Sequence, residues 1–157
     1  MEFKPKTFSK VYVNSYEPNL CSPLEQKPEW LGIIIEAPEE IIFSVNEKMI
    51  YLPICGYYRL DINSLRTSQP IKLSVNYIGD DKVFSGFLIE SDTSPTVPQP
   101  KSTEVTEEES EGMALGEYFN PDLLNYVEFP LIPGEIQVFV EYGGMKSNTV
   151  TIKIQIN

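Results

Sequence analysis

Near the C-terminus two stretches of strict alternation are separated by a glycine pair. Ile136, Val138, Val140 and Tyr142 recur at every second position, Gly143 and Gly144 follow, and Val150, Ile152, Ile154 and Ile156 recur in the same way. Successive side chains of an extended strand point to opposite faces, so a period of two puts all of these residues on one side of a sheet and scatters them around a helix. Glycine readily adopts the left-handed backbone conformations that tight turns need. The segment therefore reads as a β-hairpin with one buried face. A two-stranded hairpin is marginal alone, so other strands must complete its core.

Those strands are visible upstream. Ile71, Leu73, Val75 and Tyr77 alternate with Lys72, Ser74 and Asn76, Gly79-Asp80-Asp81 supplies turn residues, and Val83 to Glu90 reads as the returning strand. Phe8 to Val13, Leu31 to Glu36, Ile41 to Val45, Met49 to Leu52 and Gly56 to Ile62 are short apolar or aromatic runs closed by Pro18, Pro38, Asn46, Pro53 and Asn63. Many short strands punctuated by turns describe a sandwich or barrel, and 13 prolines and 9 tyrosines suit strands and turns better than helices. The expected fold is an all-β antiparallel sandwich.

The run from Pro133 to Ile152, in which Pro133-Gly134 opens the first alternation and Gly143-Gly144 closes it, resembles the closing hairpin of bacterial immunoglobulin-like domains. The resemblance implies an immunoglobulin-like sandwich and no activity. It departs from antibody-type domains: Trp30 falls too close to Cys21 for their Cys–Trp–Cys spacing, and the tyrosine expected near the closing strand is missing.

Residues 91–112 break the pattern. They hold Pro95, Pro98 and Pro100, then Glu104, Glu107, Glu108, Glu109 and Glu111, with Val97 and Val105 as the large aliphatics. Such a segment buries too little to order itself and reads as a flexible Pro/Glu-rich, acidic insertion. The alternating strands after it must pack onto those before it, so residues 1–157 are read as one domain. Beyond the insertion, Asn120 followed by Pro121 reads as a helix cap with proline at the first helical position. The apolar residues from Met113 to Phe129 are read as covering one end of the sandwich.

Charge and cysteines narrow the function. The chain carries 23 acids against 12 basic residues, a net charge of −11, which repels nucleic-acid backbones and anionic lipid. No apolar run approaches the roughly 20 residues of a membrane helix. The first residues lack a signal-peptide pattern, and the expectation is a cytoplasmic protein with Cys21 and Cys55 as reduced, partly buried thiols.

There is no histidine, which removes the Ser–His–Asp and Cys–His nucleophilic arrangements, and two distant cysteines make no zinc site. Phosphate-binding glycine motifs are absent. Asp61, Asp80, Asp81, Glu90, Glu135 and Glu141 sit near strand ends, but nothing in their spacing selects a catalytic pair or a calcium loop. We therefore expect no catalytic, cofactor or metal residues. The function that fits is a protein-binding module, an inhibitor, toxin-neutralising or adaptor protein that occludes a partner with a basic face. Glu107, Glu108, Glu109 and Glu111 on the insertion, with Met145 and Lys146 in the loop from Gly143 to Asn148, are the candidate contacts. A structural subunit of a larger assembly is one alternative. A carbohydrate-binding sandwich is another, with Trp30, Tyr51, Tyr57, Tyr58 and Tyr77 as candidate stacking residues.

Overall fold

Alternation becomes burial most plainly at the C-terminus. In the computed structural model, which describes residues 1–89 and 113–157, strands β8 (Gly134–Tyr142) and β10 (Val150–Ile156) pair antiparallel, with Val138 opposite Val150 and Ile136 opposite Ile152. Ile136, Val138, Val140, Ile152 and Ile154 are all buried. The two-residue strand β9 (Met145–Lys146) folds back on β8 across Gly143 and Gly144, both at positive φ, before the chain turns into β10. On the other side of β8, Ile136 and Val138 lie opposite Tyr77 and Val75, so the hairpin is held from both sides.

Strand β5 (Lys72–Tyr77) lies against β8 and forms the expected hairpin with β6 (Phe84–Phe87). Leu73 and Val75 are buried, and so is Ser74 on the opposite face, where its hydroxyl meets that of Ser85 at 2.9 Å. On the other flank β10 pairs with β3 (Glu40–Phe43), and β3 with β1 (Glu2–Lys4), giving a sheet in the order β1-β3-β10-β8-β5-β6. A second sheet has the order β2-β4-β7, from β2 (Gly32–Glu36), β4 (Cys55–Asp61) and β7 (Ala114–Phe119). Ile33, Ile35, Tyr58 and Leu60 of the small sheet join Ile41, Leu73, Val75, Val138 and Ile152 of the large one in a single buried cluster.

Four expectations are corrected. The large sheet is mixed, because β10 runs parallel to β3, with Ile154 beside Ile41; alternation fixes which face a strand buries, not which distant strand pairs with it or in which direction. Phe8 to Val13 is no strand: Lys6–Lys10 form a 3₁₀ helix that buries Phe8, and the buried Val11 is its C-cap, in extended backbone. Met49 to Leu52 is a loop that ends at Pro53, whose missing N–H limits it to an isolated bridge with Asp122. Residues 113–129 are not merely cover, since Ala114–Phe119 form an edge strand of the small sheet; Gly116 and Glu117 interrupt the apolar pattern that would have shown it.

The helix cap also moves. Asp122, not Asn120, caps the short helix α2 (Leu123–Tyr126), its side chain accepting from Leu124 N at 3.1 Å. Carbonyls of Asn120 and Pro121 accept instead from Asn14 N and Ile54 N, which ties that stretch to its neighbours before the helix begins. The insertion at 91–112, with Glu107, Glu108, Glu109 and Glu111, lies outside the described residues, as does Glu90.

Candidate functional site

In β4, Tyr58 and Leu60 point into the core, so Cys55, Tyr57 and Arg59 take the outer face of the small sheet. The register of β4 on β7 sets Tyr57 beside Tyr118 and Arg59 beside Gly116 on that same face. Between Cys21 and Gly32 the chain crosses this face, and it is fastened there by a disulfide from Cys21 to Cys55, with the two Cα atoms 5.9 Å apart. Both cysteines are buried. The expectation of reduced thiols is thus corrected. Thirty-four residues separate the pair, and no spacing motif relates a loop cysteine to one at the start of a strand.

Trp30 ends the crossing. A turn closed by Trp30 N donating to Lys27 O at 2.9 Å, with Pro28 at its second position, carries the indole over the sheet. Gly32 has φ +152°, and a Cβ there would lie 3.2 Å from the indole. The ring of Trp30 lies nearly parallel to that of Tyr57, with centroids 6.1 Å apart, and Tyr57 meets Tyr118 at 4.8 Å. Gly116 leaves the space that the Tyr57 hydroxyl occupies, since a Cβ at that position would stand 2.4 Å from it.

Together these groups enclose a cleft of about 290 Å³. Its floor is Tyr57, Arg59, Gly116 and Tyr118, and its wall is the loop with Glu25, Lys27 and Trp30. Arg59 makes no ion pair among the described residues. The cleft thus offers three aromatic rings, an uncommitted guanidinium, and charges of both signs at its rim. That chemistry stacks and hydrogen-bonds. It lacks a paired acid and base held together for bond breaking.

The sequence candidates are scattered. Of the five aromatics singled out, Trp30 and Tyr57 come together. Tyr58 is a core residue, edge-on to Tyr142 at 5.0 Å; burial, and then the hydrogen bond it donates to Glu117 at 2.9 Å, push its hydroxyl far above the ordinary tyrosine range. Tyr51 packs on Phe3, and the Tyr77 hydroxyl donates to Pro130 O at 2.6 Å, which anchors the approach to β8. Tyr118, Arg59 and Gly116 were not singled out, because the face they share exists only once β4 and β7 pair. Asp61 caps the short helix α1 (Ile62–Arg66), and Asp80 accepts from Lys82 N in its turn.

Met145 and Lys146, expected in a loop, form strand β9 just past the Gly143-Gly144 turn and line a different cleft, of about 370 Å³, with Lys72, Phe87 and Glu141. Lys146 extends over the ring of Phe139, 4.1 Å from its centroid. The two clefts share no lining residue. Among the described residues, no three Cys, Asp or Glu side chains are grouped to hold a metal ion, and no helix is long and apolar enough to cross a membrane. The chain matches no family model, no curated protein and no solved structure.

Proposed function

We propose that the chain is a non-catalytic protein-binding module of immunoglobulin-like sandwich type, one domain throughout, whose contact surface is the Trp30–Tyr57–Tyr118 cleft. The observation that carries this is the union of tryptophan, tyrosine and an arginine with no ion pair among the described residues in one concavity on the outer face of a sheet. These three residue types are the ones enriched where a few side chains supply most of the binding energy of a protein interface. The sandwich reading draws support from two sheets that bury one cluster and from the closing β8 to β10 hairpin.

The bridge adds to the case. Holding the loop by Cys21–Cys55 keeps Trp30 and Lys27 in place before a partner arrives, which lowers the ordering cost of binding. The overall charge of −11 steers a partner with a basic face, while the aromatic anchors hold it. A protein that depends on the bridge belongs in an oxidising compartment; a cytoplasmic location would require the two thiols to stay reduced. The test is affinity capture from the native source with quantitative mass spectrometry. Partners held by the wild type should be lost with Trp30→Ala, whose affinity should fall by about 30-fold or more, the size of a hot-spot residue. Equal recovery by both proteins would move the contact surface elsewhere.

A second reading, carbohydrate binding, is favoured by one observation: the near-parallel rings of Trp30 and Tyr57 sit beside Arg59 and Glu25, groups that hydrogen-bond hydroxyls. Saturable change of Trp30 emission on a glycan panel would support it.

A further inference from the structure

The largest of the surface clefts described lies apart from the aromatic one. It measures about 570 Å³ and has apolar walls in Val11, Val13, Ile50 and Tyr51, with Asp122 among them. Asp122 is only 6% exposed. One of its oxygens, Oδ1, accepts from two backbone donors, Leu52 N at 2.9 Å and Leu124 N at 3.1 Å. The other, Oδ2, accepts from no donor among the described residues. Among the described residues no Lys or Arg pairs with it; the ion pairs formed are Met1 with Glu47 and Lys4 with Glu40, neither in this cleft.

Capping α2 does not need this charge. Asn or Ser caps a helix about as well and buries no anion. Most of the residue is buried, which costs a carboxylate stability unless a cation meets it, while Oδ2 is not shut off and can be reached from the cleft. Its own backbone N is held at 3.3 Å by Asn14 Oδ1, and Asn14 is in turn fixed at φ 63°, so the carboxylate is positioned from both sides. Burial pushes the Asp122 carboxyl above its ordinary range, as expected for an acid without a counter-ion.

We propose that this cleft binds a cationic group on an apolar stem, a primary ammonium or a guanidinium, with Asp122 Oδ2 as its counter-ion. The stem lies along Val11, Val13 and Ile50, and the cation reaches the free oxygen. Lys48, exposed at the rim of the same cleft, repels the incoming charge and sets the affinity below what Asp122 alone would give. The site is independent of the aromatic cleft, with which it shares no lining residue.

The test is a titration of the isotope-labelled full chain, followed through the backbone amides of Asn14, Leu52 and Asn125. Added n-butylammonium and n-butylguanidinium should give saturable shifts there, and 1-butanol should not. Asp122→Asn keeps an acceptor for Leu52 N and Leu124 N and should abolish the response. Lys48→Glu, at an exposed position, should tighten cation binding by at least about threefold through the removed repulsion. N-acetyl-lysine methylamide separates the sources: tighter binding than n-butylammonium assigns the cation to a protein side chain, and weaker binding assigns it to a free amine. Shifts of equal size with 1-butanol, shifts retained in Asp122→Asn, unchanged or weaker binding in Lys48→Glu, or no saturable shift with either cation would overturn the proposal.

Discussion

Asp122 shows how much one side chain can hold. It caps α2 and takes the buried N–H of Leu52, so Asp122→Ala strands a donor and should cost about 1–3 kcal/mol, while Asp122→Asn should cost less than about 1 kcal/mol. Chemical denaturation of the two variants checks the ordering. The pH dependence has a definite sign. Burial raises the folded pKa of Asp122 above its unfolded value, so the folded state binds the extra proton and stability falls as pH rises from the ordinary aspartate range through the raised value. The difference in stability between wild type and Asp122→Asn should follow that course and then level off. Lys48 and Tyr51 are the other ionisable side chains lining the same cleft, and a slope retained in Asp122→Asn would assign the effect to another group.

Two glycines separate site from fold. At Gly86 a Cβ would fall 1.7 Å from the backbone oxygen of Tyr126, so Gly86→Ala forces main chain apart and should destabilise by about 1–3 kcal/mol or more. At Gly116 the obstacle is the mobile end of the Tyr57 side chain. Gly116→Ala should leave the unfolding midpoint nearly unchanged and shift the emission of Trp30, the one tryptophan in the chain, by displacing Tyr57 within the cleft. An unshifted spectrum would mean that Tyr57 does not set the environment of the indole.

At the level of elements, the loop from Cys21 to Trp30 depends on its bridge. Replacing both cysteines by serine should cost about 2–4 kcal/mol, because the unfolded chain is no longer closed between residues 21 and 55. It should also make Trp30 more accessible to acrylamide in the folded protein. Lost stability without greater access would show the loop held by Trp30 packing alone. In the β8–β10 hairpin, Ile152→Ala should cost about 2–5 kcal/mol through lost burial and the cavity left behind.

The sequence made β5, β8 and β10 legible because the apolar side chains of each alternate along its length and face the core. β7 was hidden: Gly116 and Glu117 break its apolar pattern, and Leu115 is 43% exposed at an edge. Trp30 and Tyr57 could be named in advance, but not joined, since their meeting depends on a loop held by a cysteine pair and on the register of β4 against β7. Met145 and Lys146, expected in a loop, form the short strand β9 instead, and they line another cleft. The bond from Asn148 to β2 escaped notice for the same reason: its amide accepts from Ile35 N at 2.8 Å and donates to Ile35 O at 3.0 Å, covering a strand edge 113 residues away.

For the whole molecule, the charge of −11 makes association the quantity to watch. The on-rate of a basic partner should fall as salt rises from about 0.05 to 0.5 M, with dissociation changing less, because screening removes steering before it weakens close contacts. Similar sensitivity of both rates would place charged pairs inside the contact. The central claim concerns where contact is made, and Trp30 reports on it directly. Acrylamide quenching of Trp30, measured with and without a saturating amount of the captured partner, should fall severalfold in the complex as the cleft closes over. A partner that demonstrably binds yet leaves Trp30 quenching unchanged would contradict the assignment of the aromatic cleft as the binding surface.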